Sequence, residues 1–161
     1  MKTFRNTLAL LACLLAAPVA TAATPNTSPV DNPLPIVTVH KSRYCGCCLK
    51  WVEHMRAEGF EVRVVETEDM GPVKQRVGIP PAKGSCHTAE VDGYFVEGHV
   101  PAADVKRLLA ERPKARGLTV PGMPAGSPGM ETPDGRVQPY TVELISPEGK
   151  ASPFARHGDA R

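Results

Sequence analysis

Residues 36–55 read "IVTVHKSRYCGCCLKWVEHM", and this stretch sets the fold class. Ile36-Val37-Thr38-Val39 is a short β-branched run suited to a buried strand. From Cys48 the period changes. Leu49, Val52 and Met55 recur at steps of three and Gly59 makes a natural stop, so a helix is expected from Cys48 to Gly59. Between strand and helix stands Tyr44-Cys45-Gly46-Cys47-Cys48. Cys45 and Cys48 have the Cys-x-x-Cys spacing of a redox pair; Cys47 is a third thiol that such a pair does not need.

Downstream, Phe60, Val62 and Val64 alternate with Glu61 and Arg63, which predicts a second strand. Asp69 to Val77 reads as a short helix with Pro72 near its first turn. Thr88–Val91 and Tyr94–Glu97 flank Asp92-Gly93, a strong hairpin signal. Pro101 then opens a helix in which Val105, Leu108 and Leu109 share a face, and Pro113 closes it. The order is strand, helix, strand, helix, strand, strand, helix (βαβαββα). With the cysteines at the first strand–helix junction, that is the thioredoxin arrangement, an α/β two-layer sandwich expected over residues 36–115.

Residues 116–161 form a C-terminal extension of different character, expected to pack on or over the cysteines. Residues 113–153 hold fourteen of the chain's 31 Pro and Gly residues, a density that forbids long helices. Val137 to Ile145 supplies one or two short strands, with Pro139 restricting the first to an edge. Between lies "VPGMPAGSPGME", residues 120–131.

Upstream of the fold, Lys2 and Arg5 precede an uncharged Leu/Ala-rich run, a break at Pro18 and Ala20-Thr21-Ala22. This is the layout of a secretory signal peptide over residues 1–22. The run is far short of the roughly 20 residues that span a bilayer. It also continues past Cys13, where a lipoprotein would turn polar. Residues 23–35 are a Pro-rich flexible lead-in. Lys2 and Arg5 account for the whole excess of charge, so residues 23–161 carry 17 basic and 17 acidic side chains. That balance argues against nucleic-acid or anionic-membrane partners. No leftover apolar periodic face demands a dimer, so a monomer is expected. Export to the periplasm places the four remaining cysteines in an oxidising compartment, where disulfides or metal must account for them.

Cys45 and Cys48 sit at the mouth of a helix, where free N–H groups and the helix dipole stabilise thiolates. Cys47 and Cys48 cannot comfortably pair, because adjacent Cα atoms lie about 3.8 Å apart against a minimum of about 4.4 Å for a relaxed disulfide. The remaining partner for Cys47 is Cys86. A hairpin centred on Asp92-Gly93 pairs Val91 with Tyr94, Ala89 with Val96 and His87 with Gly98. One step further it sets Cys86 opposite His99, with His87 on the other face. In a thioredoxin arrangement the start of this strand lies beside the first helix's N-terminus, so Cys86 and His99 come next to Cys45, Cys47 and Cys48. Zinc in a closed four-cysteine site usually takes two well-separated Cys-x₂-Cys pairs. Three thiols crowded into four positions suit bridging sulfurs better, and thiolate and thioether donors select Cu(I). Met123 and Met130 are thioether candidates in the Gly/Pro loop. His87 reads as a strand-end polar group, Trp51 and Met55 as packing, and His40, His54 and His157 as solvated or locally paired.

"HKSRYCGCCLKW" (40–51), "SCHTAEVDGYFVEGHVP" (85–101) and "GLTVPGMPAGSPGME" (117–131) together resemble the CopG-type periplasmic copper-resistance proteins, formerly a domain of unknown function. The resemblance covers about residues 36–145. It implies a thioredoxin-like domain with a C-terminal extension and a cysteine-bridged cluster of several copper ions. It also implies a role in handling Cu(I)/Cu(II) during copper stress, alongside other periplasmic copper-handling proteins. Cys45, Cys47, Cys48 and Cys86 match the family's thiols, and His99 and Met123 match motif positions. The rival class is a thiol–disulfide oxidoreductase in which Cys45 attacks and Cys48 resolves.

Overall fold

The computed structural model describes residues 33–158; the expected signal peptide and most of the lead-in lie outside the described residues. The elements are β1 (Val37–Lys41), α1 (Gly46–Ala57), β2 (Val62–Glu66), α2 (Gly71–Val77), β3 (Thr88–Val91), β4 (Tyr94–Glu97), α3 (Ala102–Glu111), β5 (Gly117–Thr119), β6 (Tyr140–Ile145) and β7 (Ala151–His157). All seven strands join one mixed sheet in the order β2-β1-β3-β4-β5-β6-β7.

Local chemistry accounts for the connections. β1 and β2 are parallel, and parallel neighbours need a crossover, which α1 provides. β3 and β4 pair in the register predicted from Asp92-Gly93, with Ala89 opposite Val96 and Val91 opposite Tyr94. Both turn residues have the positive φ that a two-residue hairpin demands, 46° at Asp92 and 84° at Gly93.

The core lies between the sheet and the two longer helices. Trp51, Val52 and Met55 of α1 and Val105 and Leu108 of α3 cluster with Val37, Val39, Ala89, Val91, Val96, Leu118 and Val142. α2 buries no residue. It meets the opposite face through polar contacts: Lys74 Nζ donates to Thr88 Oγ1 at 3.0 Å, and Arg76 makes a two-pronged bond to Glu90. The expected two-layer sandwich is therefore a sheet with helices on both faces. α2 lacks an apolar stripe, so polar pairs rather than burial hold it there.

α1 also begins earlier than its apolar pattern suggests. Cys45 is its N-cap in extended conformation, and Leu49 N–H closes the first turn on Cys45 O at 3.3 Å. The buried stripe is Cys48, Trp51, Val52 and Met55, while Leu49 is exposed. Of the three residues at steps of three, Val52 and Met55 belong to this stripe and Leu49 does not.

The extension holds more strand than expected. β5 pairs parallel to β4, β6 antiparallel to β5, and β7 antiparallel to β6 with a bulge at Val142/Glu143. The tail is fastened to α3. The Arg107 guanidinium lies 3.8 Å above the Phe154 ring, and His157 Nε2 meets the buried Asp104 Oδ2 at 2.7 Å. His157 is thus neither solvated nor locally paired. The same holds for His54, whose Nε2 accepts the Ala102 N–H at the start of α3, and for His40, which pairs with Glu90.

Candidate metal centre

Two pieces of backbone bring the thiols together. Cys45 caps α1, and Cys47 and Cys48 occupy its first turn, where the unsatisfied N–H groups of the helix point. Cys86 comes from the segment just ahead of β3. The four Sγ atoms lie within 4.8 Å of one another. Cys48 is fully buried and the other three are half-buried. Cys45 and Cys48 are joined as a disulfide, leaving Cys47 and Cys86 as free thiols. Cys45 Sγ is 3.5 Å from Cys47 Sγ.

The Cys86 segment is tied from several directions. Ser85 N–H donates to the buried carboxylate of Glu97, which also takes Lys74 Nζ and, at 2.7 Å, the Thr88 hydroxyl. Burial pushes Glu97 up from the usual carboxylate range, opposed by the Lys74 ammonium. On the other side of Cys86, Gly98 N–H donates to His87 O at 3.0 Å, continuing the hairpin register one pair beyond the strands. Burial, then the neighbouring Cys47, pushes the Cys86 thiol up to about 11.

The expected pairing of Cys86 with His99 is present, with His99 Nε2 at 3.1 Å from Cys86 Sγ. His99 is fully buried, and burial lowers its basicity. His87 lies at the same place. Its Nδ1 is 3.3 Å from Cys86 Sγ, its ring is 4.5 Å from that of Trp51 and 5.1 Å from that of His99. Burial, assisted by His99 and Lys74, pushes His87 down to about 3, so the imidazole is neutral. Sequence alternation put His87 on the face opposite Cys86. The missed signal is that this face also carries Ala89 and Val91, against which α1 packs, and α1 is the thiol-bearing helix.

The Gly/Pro loop approaches His99 and the first turn of α1. His99 Nδ1 donates to Pro128 O at 2.8 Å. Gly129, at φ +86°, lies so close to α1 that a Cβ there would meet Cys47 O at 2.6 Å and Trp51 N at 2.8 Å. The loop is braced internally by Met130 N–H to Ser127 O (2.7 Å) and Gly126 N–H to Met130 O (2.6 Å). Of the thioether candidates, Met130 follows Gly129 and is half-buried, whereas Met123 stands exposed beyond Gly122.

The donor set fits a soft metal. Sulfur ligands about 2.3 Å from one tetrahedral ion stand about 3.8 Å apart; the four sulfurs lie within 4.8 Å of one another, with Cys45 and Cys48 drawn together by their bond. All four are thiolates only when the Cys45–Cys48 bond is reduced, which takes two electrons.

Comparison with known proteins bears on what this centre does. Residues 83–130 match a family described as "Protein of unknown function, DUF411". This span holds Cys86, His87, His99 and the loop but not the Cys45–Cys48 motif. Two solved structures, "Copper resistance protein copG- Form 1" and "Form 2", are each 48% identical to this chain. Each match covers 77% of this chain and 98% of the other, with a TM-score of 0.73. Over 99 residues the chain is also 32% identical to a "Probable phosphoenolpyruvate synthase" of Pyrococcus abyssi (strain GE5 / Orsay). That match covers 61% of this chain and only 11% of the synthase.

Proposed function

The chain belongs to the family of the copper resistance protein CopG, and on that premise we propose that it binds copper as part of copper resistance. One observation carries the reading: four sulfurs within 4.8 Å at the N-terminus of α1. Thiolates there are stabilised by the helix dipole, and thiolate clusters prefer Cu(I). Cys45, Cys47, Cys48 and Cys86 take several copper ions as cargo, bridging them through sulfur. His99 adds an imidazole, and Met123 and Met130 lie on the loop that limits access. Each thiol releases its proton as it becomes a ligand.

Reduction of the Cys45–Cys48 disulfide to two thiolates takes two electrons, the number that two Cu(I) ions release on becoming two Cu(II), and the reverse step returns them, so the couple interconverts two ions at a time. In this reading residues 1–22 direct export to the periplasm. Residues 36–115 are a thioredoxin-like domain, and residues 116–161 close over the metal. The exported chain is a monomer that exchanges copper with other periplasmic copper-handling proteins.

A second reading is favoured by the Cys45–Cys48 disulfide itself: a thiol–disulfide oxidoreductase. It predicts insulin reduction without metal and indifference to Cys86→Ser. The deciding experiment is copper and zinc per chain, by elemental analysis of protein purified anaerobically from copper-fed cells. Several coppers, lost together in Cys47→Ser, are expected. A metal-free protein, or unchanged copper in Cys47→Ser, overturns the reading.

A further inference from the structure

Burial does not explain β7. The strand forms an edge of the sheet, and none of its seven residues is buried. Only Phe154 and Ala155 pack against the margin of the core. Its far end is nevertheless fastened at several points. Asp104, in the first turn of α3, is buried and accepts a hydrogen bond from His157 Nε2 at 2.7 Å. Arg107 Nη2 donates to Phe154 O at 2.8 Å, and the His157 ring stacks on Tyr140 with centroids 5.0 Å apart. A buried carboxylate is stable only when paired, so Asp104 and His157 hold each other in place.

Immediately beyond this pair the chain meets the segment that leads out of the Gly/Pro loop. Gly158 has φ +72°, and a Cβ there would meet Gln138 O at 2.8 Å and Val137 Cγ1 at 2.9 Å. Gln138 in turn holds the loop. Its N–H donates to Ala125 O at 2.8 Å, and its side-chain carbonyl accepts Ala125 N–H at 3.4 Å. Gly126, at φ +83°, repeats the close approach, with a Cβ there 2.6 Å from Arg136 O. The loop's own bonds then lead from Gly126 to Pro128 and Gly129, which meet His99 and Cys47 O. Glycines 158, 126 and 129 thus mark three contacts in succession at which backbone lies on backbone. Such contacts have no rotamer to turn, so a displacement at one is passed to the next.

We propose that the Asp104–His157 pair positions the Gly/Pro loop on the first turn of α1, acting through Gly158 and residues 136–138. Neither residue acts on the thiols directly; both are positioning residues for the loop. The proposal goes beyond the copper reading and does not depend on it, because the place of the loop is read without metal.

The test is hydrogen–deuterium exchange of metal-free residues 23–161, disulfide intact, with and without His157→Ala. Near-UV circular dichroism of Trp51, the chain's one tryptophan, reports that each variant is folded. Loss of a hydrogen bond to a charged group should speed exchange over residues 125–138 about tenfold. Exchange in β1 should not change, and Cys47 should react faster with a thiol reagent. Adding Asp104→Ala should loosen the loop no further, because the two residues act as one unit. Loop exchange or a Cys47 rate as slow as in wild type overturns the proposal, and so do additive effects in the double variant. An equal rise in β1 also overturns it, since that is general loss of stability. If His157→Ala does not fold, Gly158→Ala decides, because it disturbs the next contact and keeps both members of the pair: faster loop exchange supports the proposal, and unchanged exchange overturns it.

Discussion

His99 reaches the Gly/Pro loop by donating Nδ1–H to Pro128 O at 2.8 Å, so one imidazole both faces Cys86 and ties that loop to the start of α1. The neighbouring residue makes that close approach possible. Only glycine accepts φ +86° at residue 129 and leaves room for Cys47 O.

Gly129→Ala should therefore lift the loop rather than merely strain it. Strain and contact together are expected to cost about 1–3 kcal/mol. The specific sign is faster reaction of Cys47 and Cys86 with a thiol reagent in folded protein, well below the unfolding transition. If stability drops but thiol reactivity does not change, the loop does not shield the centre.

Glu97 presents a second test, because its carboxylate ties Ser85, Thr88 and Lys74 together beneath the Cys86 segment. Glu97→Ala leaves Lys74 without its partner. Breaking a buried pair costs about 3–5 kcal/mol, and the partial exposure of Lys74 reduces this to about 2–3 kcal/mol. Glu97→Gln keeps an acceptor for Ser85 N–H and should cost about half as much. Urea denaturation measures both. Equal losses in the two variants would mean that charge, not the Ser85 bond, supports the segment.

Particular residues show how far the sequence could be read. The hairpin register was legible because Asp92-Gly93 fixes it, and the register alone placed Cys86 opposite His99. The Cys-x-Cys-Cys spacing likewise announced its own helix terminus. What was not legible depended on packing between distant elements. His87 was misplaced because its face of β3 is the one that α1 covers, and no local pattern states which face that is. β7 was missed because Pro153 and the charges around it obscure strand alternation, while its anchors, Asp104 and Arg107, lie about 50 residues away. Leu49 was misplaced because the stripe runs through Cys48, a residue read for its chemistry, beside Trp51, Val52 and Met55.

The disulfide makes a direct prediction for residues 23–161. Denatured protein prepared without reductant should show two reactive thiols per chain, from Cys47 and Cys86, and four after reduction. Copper uptake should follow the second number: the oxidised chain should lose most of its capacity and regain it after reduction under anaerobic conditions. Equal copper uptake by both forms would remove Cys45 and Cys48 from the ligand set.

The pH dependence of the metal-free chain should expose His87. Its folded value, about 3, lies below its ordinary 6.5, chiefly through burial. The folded state therefore rejects a proton that the unfolded chain binds. The contribution to stability is complete above pH 6.5 and is lost as pH falls toward 3, by about 1.4 kcal/mol for each pH unit. Urea midpoints between pH 7 and 4 should therefore fall more steeply for wild type than for His87→Phe, which keeps a ring against Trp51 and has nothing to protonate. Carboxylates titrate in both proteins and cancel in the difference. Parallel curves would mean that His87 is protonated in the folded chain, and that its burial against Trp51 is looser than the 4.5 Å ring separation implies.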